Sequence, residues 1–129
     1  MATWNDLRKY IYSQYQVTQE APGVIRLMFS LGNGRTQNVL VSGKQAGAFE
    51  YFVIWTPICH ESQIPAREAM LRNATMSIGA LGIIPDGTVI LRWSAPLKDL
   101  DADEFNVPLK GLAIAGDMLE QEFSGADRY

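Results

Sequence analysis

Apolar side chains recur along the chain with two different periods. Trp4, Leu7, Ile11 and Tyr15 follow one another at spacings of three and four, behind a weak capping pair of Thr3 and Asp6, and predict an amphipathic first helix. Ala21-Pro22-Gly23 breaks that pattern. Ile25, Leu27, Phe29 and Leu31 then alternate with Val24, Arg26, Met28 and Ser30, and Gly32-Asn33-Gly34 provides a tight turn before Gln37, Val39 and Val41. This predicts a hairpin. A third strand is expected from Ala48 to Ile58, with Phe49, Tyr51, Val53 and Trp55 on one face and Phe52 and Ile54 on the other. Pro65 suits the first turn of a short helix that reaches Asn73 and Ala74. Ser77 to Ile84 reads as a strand of small residues, Pro85-Asp86-Gly87 as a turn, and Val89, Leu91 and Trp93 as the inward side of the next strand. Pro108 is expected to open the last helix, along which Leu109, Leu112, Gly116, Leu119 and Phe123 keep helical spacing.

The predicted order is α-β-β-β-α-β-β-α, an α+β domain in which helices pack on one antiparallel sheet. No repeat, linker or low-complexity tract interrupts it, so residues 1–129 read as a single domain. The third strand carries large side chains on both faces. If the first and last helices cover one face, the other still holds either Phe52 and Ile54 or Tyr51 and Trp55, depending on register. The second helix, a second copy or a client polypeptide are the alternatives for covering it.

Composition narrows the class. With 47% hydrophobic and 19% charged residues in 129, the chain can bury roughly two thirds of its unfolded surface without a metal or disulfide. The formal charge of -3 offers little footprint for a nucleic-acid backbone, so no nucleic-acid partner is expected. The charge is uneven: residues 1–94 hold eight basic and six acidic side chains, residues 95–129 three and eight. Asp99, Asp101, Asp103 and Glu104 read as an acidic, solvated loop; the glycine and closing glutamate of a calcium loop are missing. A single cysteine and a start without a basic-then-apolar run fit a soluble protein of the reducing cytoplasm, with no membrane segment.

Candidate chemistry is sparse. Cys59-His60-Glu61 sets the only thiol beside the only imidazole, but consecutive side chains of an extended chain point apart, which is poor geometry for proton transfer. One Cys and one His do not make a zinc site, and Gly32-Asn33-Gly34 lacks the residues that follow a phosphate loop. No catalytic residue, metal or cofactor is expected. Tyr10, Tyr12 and Tyr15 on the first helix are read as core and rim packing.

Met70-Leu71-Arg72-Asn73, Gly79-Ala80-Leu81-Gly82 and the run Pro85 to Trp93 resemble the centre of class I type III secretion chaperones and of the related YbjN-like proteins. Leu97, Asp99, Leu100, Phe105, Leu109, Leu112 and Leu119 look like the loop and final helix that follow, and Arg35 to Val41 is similar to a strand common among YbjN-like members. The resemblance spans nearly the whole chain in element order. It implies a homodimeric, non-enzymatic protein that holds a partner polypeptide by apolar grooves and strand pairing. The surplus apolar strand surface and the lack of a catalytic set point to the same kind of module, with Phe49, Tyr51, Val53 and Trp55 as the expected partner-binding residues and Met70, Leu71 and Trp93 as the expected dimer contact. The alternative is a small-molecule-binding domain or minor enzyme with a pocket near Cys59 and His60.

Overall fold

The Thr3 hydroxyl accepts the Asp6 backbone N–H at 3.1 Å, and this cap starts helix α1 (Trp4–Gln14). The computed structural model describes residues 1–125 and 129. Strands β1 (Val17–Ala21), β2 (Val24–Ser30), β3 (Thr36–Ala46) and β4 (Phe49–His60) follow α1, then helix α2 (Ala66–Asn73), strands β5 (Ala80–Ile83) and β6 (Thr88–Pro96), and helix α3 (Ala102–Phe123). All six strands form one antiparallel sheet in the order β1-β2-β3-β4-β6-β5. The α+β class is as the periodicity predicts.

Two elements differ from the sequence expectation. Val17–Ala21 forms an additional edge strand paired with β2. Its Val-Thr-Gln-Glu-Ala composition has little apolar alternation, because an edge strand here buries almost nothing. The last helix begins at Ala102, not at Pro108. Asp101 accepts the Glu104 amide at 2.8 Å and Glu104 returns the bond to the Asp101 amide at 3.1 Å, a reciprocal capping box built from residues expected to be loop. Asp103 and Glu104 also sit where the helix dipole favours negative charge. Pro108 lies inside the helix, buried, and its missing N–H leaves one early carbonyl without a helical donor.

Register decides the two faces. Ile25, Val41, Ile54 and Trp93 line up across β2, β3, β4 and β6, and with Leu27, Val39, Phe52 and Leu91 they face α1 and α3. Phe105 of α3 anchors this core, edge-on to Phe52 at 5.5 Å, to Tyr10 at 6.3 Å and to Tyr15 at 6.4 Å. Asn106 ties the helices together: it donates to the Tyr10 hydroxyl at 2.7 Å and accepts the Tyr15 hydroxyl. Close backbone approach fixes both helices. A Cβ on Gly43 of β3 would lie 2.7 Å from the Trp4 indole, and one on Gly116 of α3 would lie 2.6 Å from the Thr56 methyl. Beneath the end of α3, Arg35 pairs with Asp117 at 2.8 Å, and Gln37 donates to Thr56 at 2.6 Å.

Candidate functional site: the sheet face without helices

Helices α1 and α3 both lie on the Phe52 and Ile54 side, and α2 packs beside the edge strand β5. Side-chain alternation therefore places Phe49, Tyr51, Val53 and Trp55 together on the other face of β4. The second helix does not cover them. Phe49 is exposed, Tyr51 and Trp55 are half-buried, and the rings of Phe49 and Tyr51 stack at 5.7 Å.

The face has relief. Ser42, Val53 and Ser94 are direct partners across β3, β4 and β6, with Val24 of β2 beyond Ser42. This row of short side chains runs across the sheet. Along one side stands the row Arg26, Leu40, Trp55 and Arg92, and along the other Lys44, Tyr51 and Pro96. Ser42 and Val53 are 1% and 4% exposed with no helix above them, so the taller flanking side chains shield them. A cleft of about 460 Å³ opens over Ser94, between Arg92 and Pro96 and against Phe49 and Tyr51.

Met70 and Leu71 sit on α2, 73% and 49% exposed. Trp93 is elsewhere: it is half-buried on the helix-covered face and lines a separate cleft with Ile78, Val107 and Pro108. The structure does not gather the three into one continuous patch. Met70 instead borders a groove of about 520 Å³ between α2 and the β5-β6 hairpin, where His60, Ile64, Ile83 and Val89 also lie.

Cys59 and His60 diverge, as expected of neighbours on a strand. Cys59 is wholly buried on the core side, where burial pushes its thiol pKa up and nearby Glu120 adds to the shift. His60 is exposed; its Nδ1 accepts the Ser62 amide at 3.1 Å and lies 2.8 Å from the Ser62 hydroxyl. Its ring caps the turn after β4. Cys59 is not among the residues lining the groove that His60 enters. Among the described residues no group of three His, Cys, Asp or Glu is placed to hold a metal ion. No helix among them is long and apolar enough to cross a membrane.

Arg26, Leu40, Lys44 and Arg92 were not singled out from the sequence. Their signal was parity, since each stands an even number of steps, directly or through its cross-strand partner, from Tyr51 or Trp55.

The fold is similar to that of a chain in the solved HopA1-SchA chaperone-effector complex, with a TM-score of 0.61 over 90% of this chain and 88% of that one. Sequence identity is 14%, so the likeness is one of fold. No family model matches the chain, and no curated protein matches it.

Proposed function

We propose that this protein is a non-enzymatic, chaperone-like module that holds a partner polypeptide on its helix-free sheet face. One observation carries the reading: Phe49, Tyr51 and Trp55 share a face that no helix or strand among the described residues covers, beside a trough of short side chains. Apolar and aromatic surface of this kind is costly to leave in water and is a common mark of a polypeptide-binding site. The fold shared with a chaperone-effector complex supports the same class of role. In this reading Phe49, Tyr51, Val53 and Trp55 contact the partner, and the chain acts in the cytoplasm as a homodimer. Met70, Leu71 and Trp93 are the proposed dimer contacts, and the family assignment is to class I secretion chaperones and the YbjN-like proteins.

The test is to recover the tagged protein gently from its source cells and measure by mass spectrometry and light scattering what accompanies it and in what stoichiometry. A reproducible polypeptide on a dimer is expected. A lone monomer with a bound small molecule contradicts the reading.

A second reading has its own observation, the largely apolar groove of about 520 Å³ that His60 and Met70 border, which suits a small molecule. If His60→Ala and Met70→Ala leave every ligand interaction unchanged, that reading loses the residues that border its groove.

A further inference from the structure

The charges of the sheet are sorted by face. Arg26, Lys44 and Arg92 are the only Lys or Arg residues in the six strands, and all three lie on the helix-free face, each exposed. Glu20 and Glu50 are the only strand carboxylates, and both alternate to the opposite side. This sorting runs against the whole chain, whose formal charge is -3.

Pairing follows the same division. Arg8 is bonded to Glu20 at 2.5 Å, Arg35 to Asp117 at 2.8 Å and Arg72 to Glu68 at 3.2 Å, all away from the helix-free face. Arg26, Lys44 and Arg92 make no ion pair among the described residues. They are also placed around the apolar surface. Arg26 and Arg92 flank Leu40 and Trp55 in one row, with Gln19 and Ala80 beyond them, while Lys44 begins the row through Tyr51. The two rows stand four residues apart along a strand, about 13 Å, which leaves room between them for one polypeptide segment. A cation at the rim of an aromatic surface attracts carboxylates over a distance of roughly a Debye length, about 8 Å at physiological salt, and disfavours Lys and Arg.

We infer that the segment held on this face is acidic as well as apolar, with carboxylates flanking the side chains that enter the trough over Ser42, Val53 and Ser94. This deepens the proposed function and rests on it. The occupant is a polypeptide because the trough is lined by short side chains and bordered by aliphatic as well as aromatic groups, Leu40 and Pro96 among them.

The probes are two fluorescein-labelled amphipathic peptides with the same leucine and phenylalanine positions, one with glutamate and one with lysine at its polar positions. Anisotropy is read for the wild-type protein, for Arg26→Glu with Arg92→Glu, and for Tyr51→Ser with Trp55→Ser. The glutamate peptide is expected to bind at least about tenfold more tightly, weakening as salt rises. The charge-reversed protein should prefer the lysine peptide. Equal affinity for both peptides, or a preference that charge reversal leaves unchanged, overturns the acidic assignment. If Tyr51→Ser with Trp55→Ser still abolishes binding in that case, the polypeptide-holding reading stands without it. If neither pair of substitutions moves binding, both fail. A labelled single-stranded oligonucleotide that outcompetes the glutamate peptide, or a concentration-dependent dimer that dissolves on charge reversal, assigns the face to nucleic acid or to a second copy and overturns the inference.

Discussion

Asn73, the last residue of α2, grips Leu81 of β5 by both backbone groups: its side-chain oxygen accepts the Leu81 N–H at 2.7 Å and its amide nitrogen donates to the Leu81 carbonyl at 3.2 Å. A side chain thus imitates a neighbouring strand at the sheet edge. Asn73→Ala leaves a part-buried donor and acceptor without these partners, a loss of about 1–3 kcal/mol. Urea unfolding should register it, with faster amide exchange confined first to β5. Asn73→Asp keeps the acceptor and loses the donor, so it should fall between the two. An unchanged midpoint for Asn73→Ala would show that water replaces the grip without cost.

Gly43 is the contact surface for Trp4. Because the indole already occupies the place of a Cβ, Gly43→Ala must push the start of α1 off the sheet, at about 1–3 kcal/mol. Shrinking the ring relieves that clash. In a double-mutant cycle with Trp4→Leu, the Gly43→Ala penalty is expected to shrink clearly; strict additivity would mean that the two residues do not press on each other.

The buried Cys59 thiol sets an alkaline limit. Its pKa is raised in the fold, so the folded chain keeps the proton at a pH where the unfolded chain loses it. Stability should therefore decline as pH rises above the ordinary thiol value of about 8.5, and Cys59→Ala should flatten that decline. A thiol reagent at neutral pH should leave native Cys59 intact and label it in urea. Rapid labelling of the native protein contradicts its burial.

Glu20 sets an acid-side counterpart on the surface. Hydrogen bonds from Arg8, and secondarily from Tyr12, hold its carboxylate below the usual range and tie α1 to β1. A depressed folded pKa contributes stability above the unfolded value, and this is lost as pH falls through the folded one. Carboxyl NMR titration should show Glu20 moving up in Arg8→Gln. No movement would mean that the pair is not populated in solution.

The strands that alternate strongly were legible in the sequence, and so were the helices with clean spacing. Ile25, Leu27, Val39 and Val41 face the helices as the pattern requires. Val17–Ala21 was not legible, because an edge strand with one helix-side contact can be polar throughout. Pro108 misled because proline marks a helix start far more often than it occupies an interior turn, while the Asp101 and Glu104 cap was hidden among carboxylates that also suit a loop. The candidate site was half legible. Phe49, Tyr51, Val53 and Trp55 were recognisable as one face, but only the pairing of Val41 with Ile54 determines that the helices cover the other. The segregation of Arg26, Lys44 and Arg92 depends on register across strands distant in sequence, which single-strand alternation does not supply.

The central claim is that Tyr51 and Trp55 serve a partner and not the core. The most direct measurement compares urea unfolding and partner binding for Tyr51→Ser with Trp55→Ser against the wild type. Both side chains lie on the helix-free face and keep part of their surface in water. The double variant should keep the circular dichroism, a cooperative transition close to wild type and its oligomeric state while losing its polypeptide partner. Global unfolding would make these residues plain core, and unchanged binding would place the partner elsewhere; either result contradicts the account.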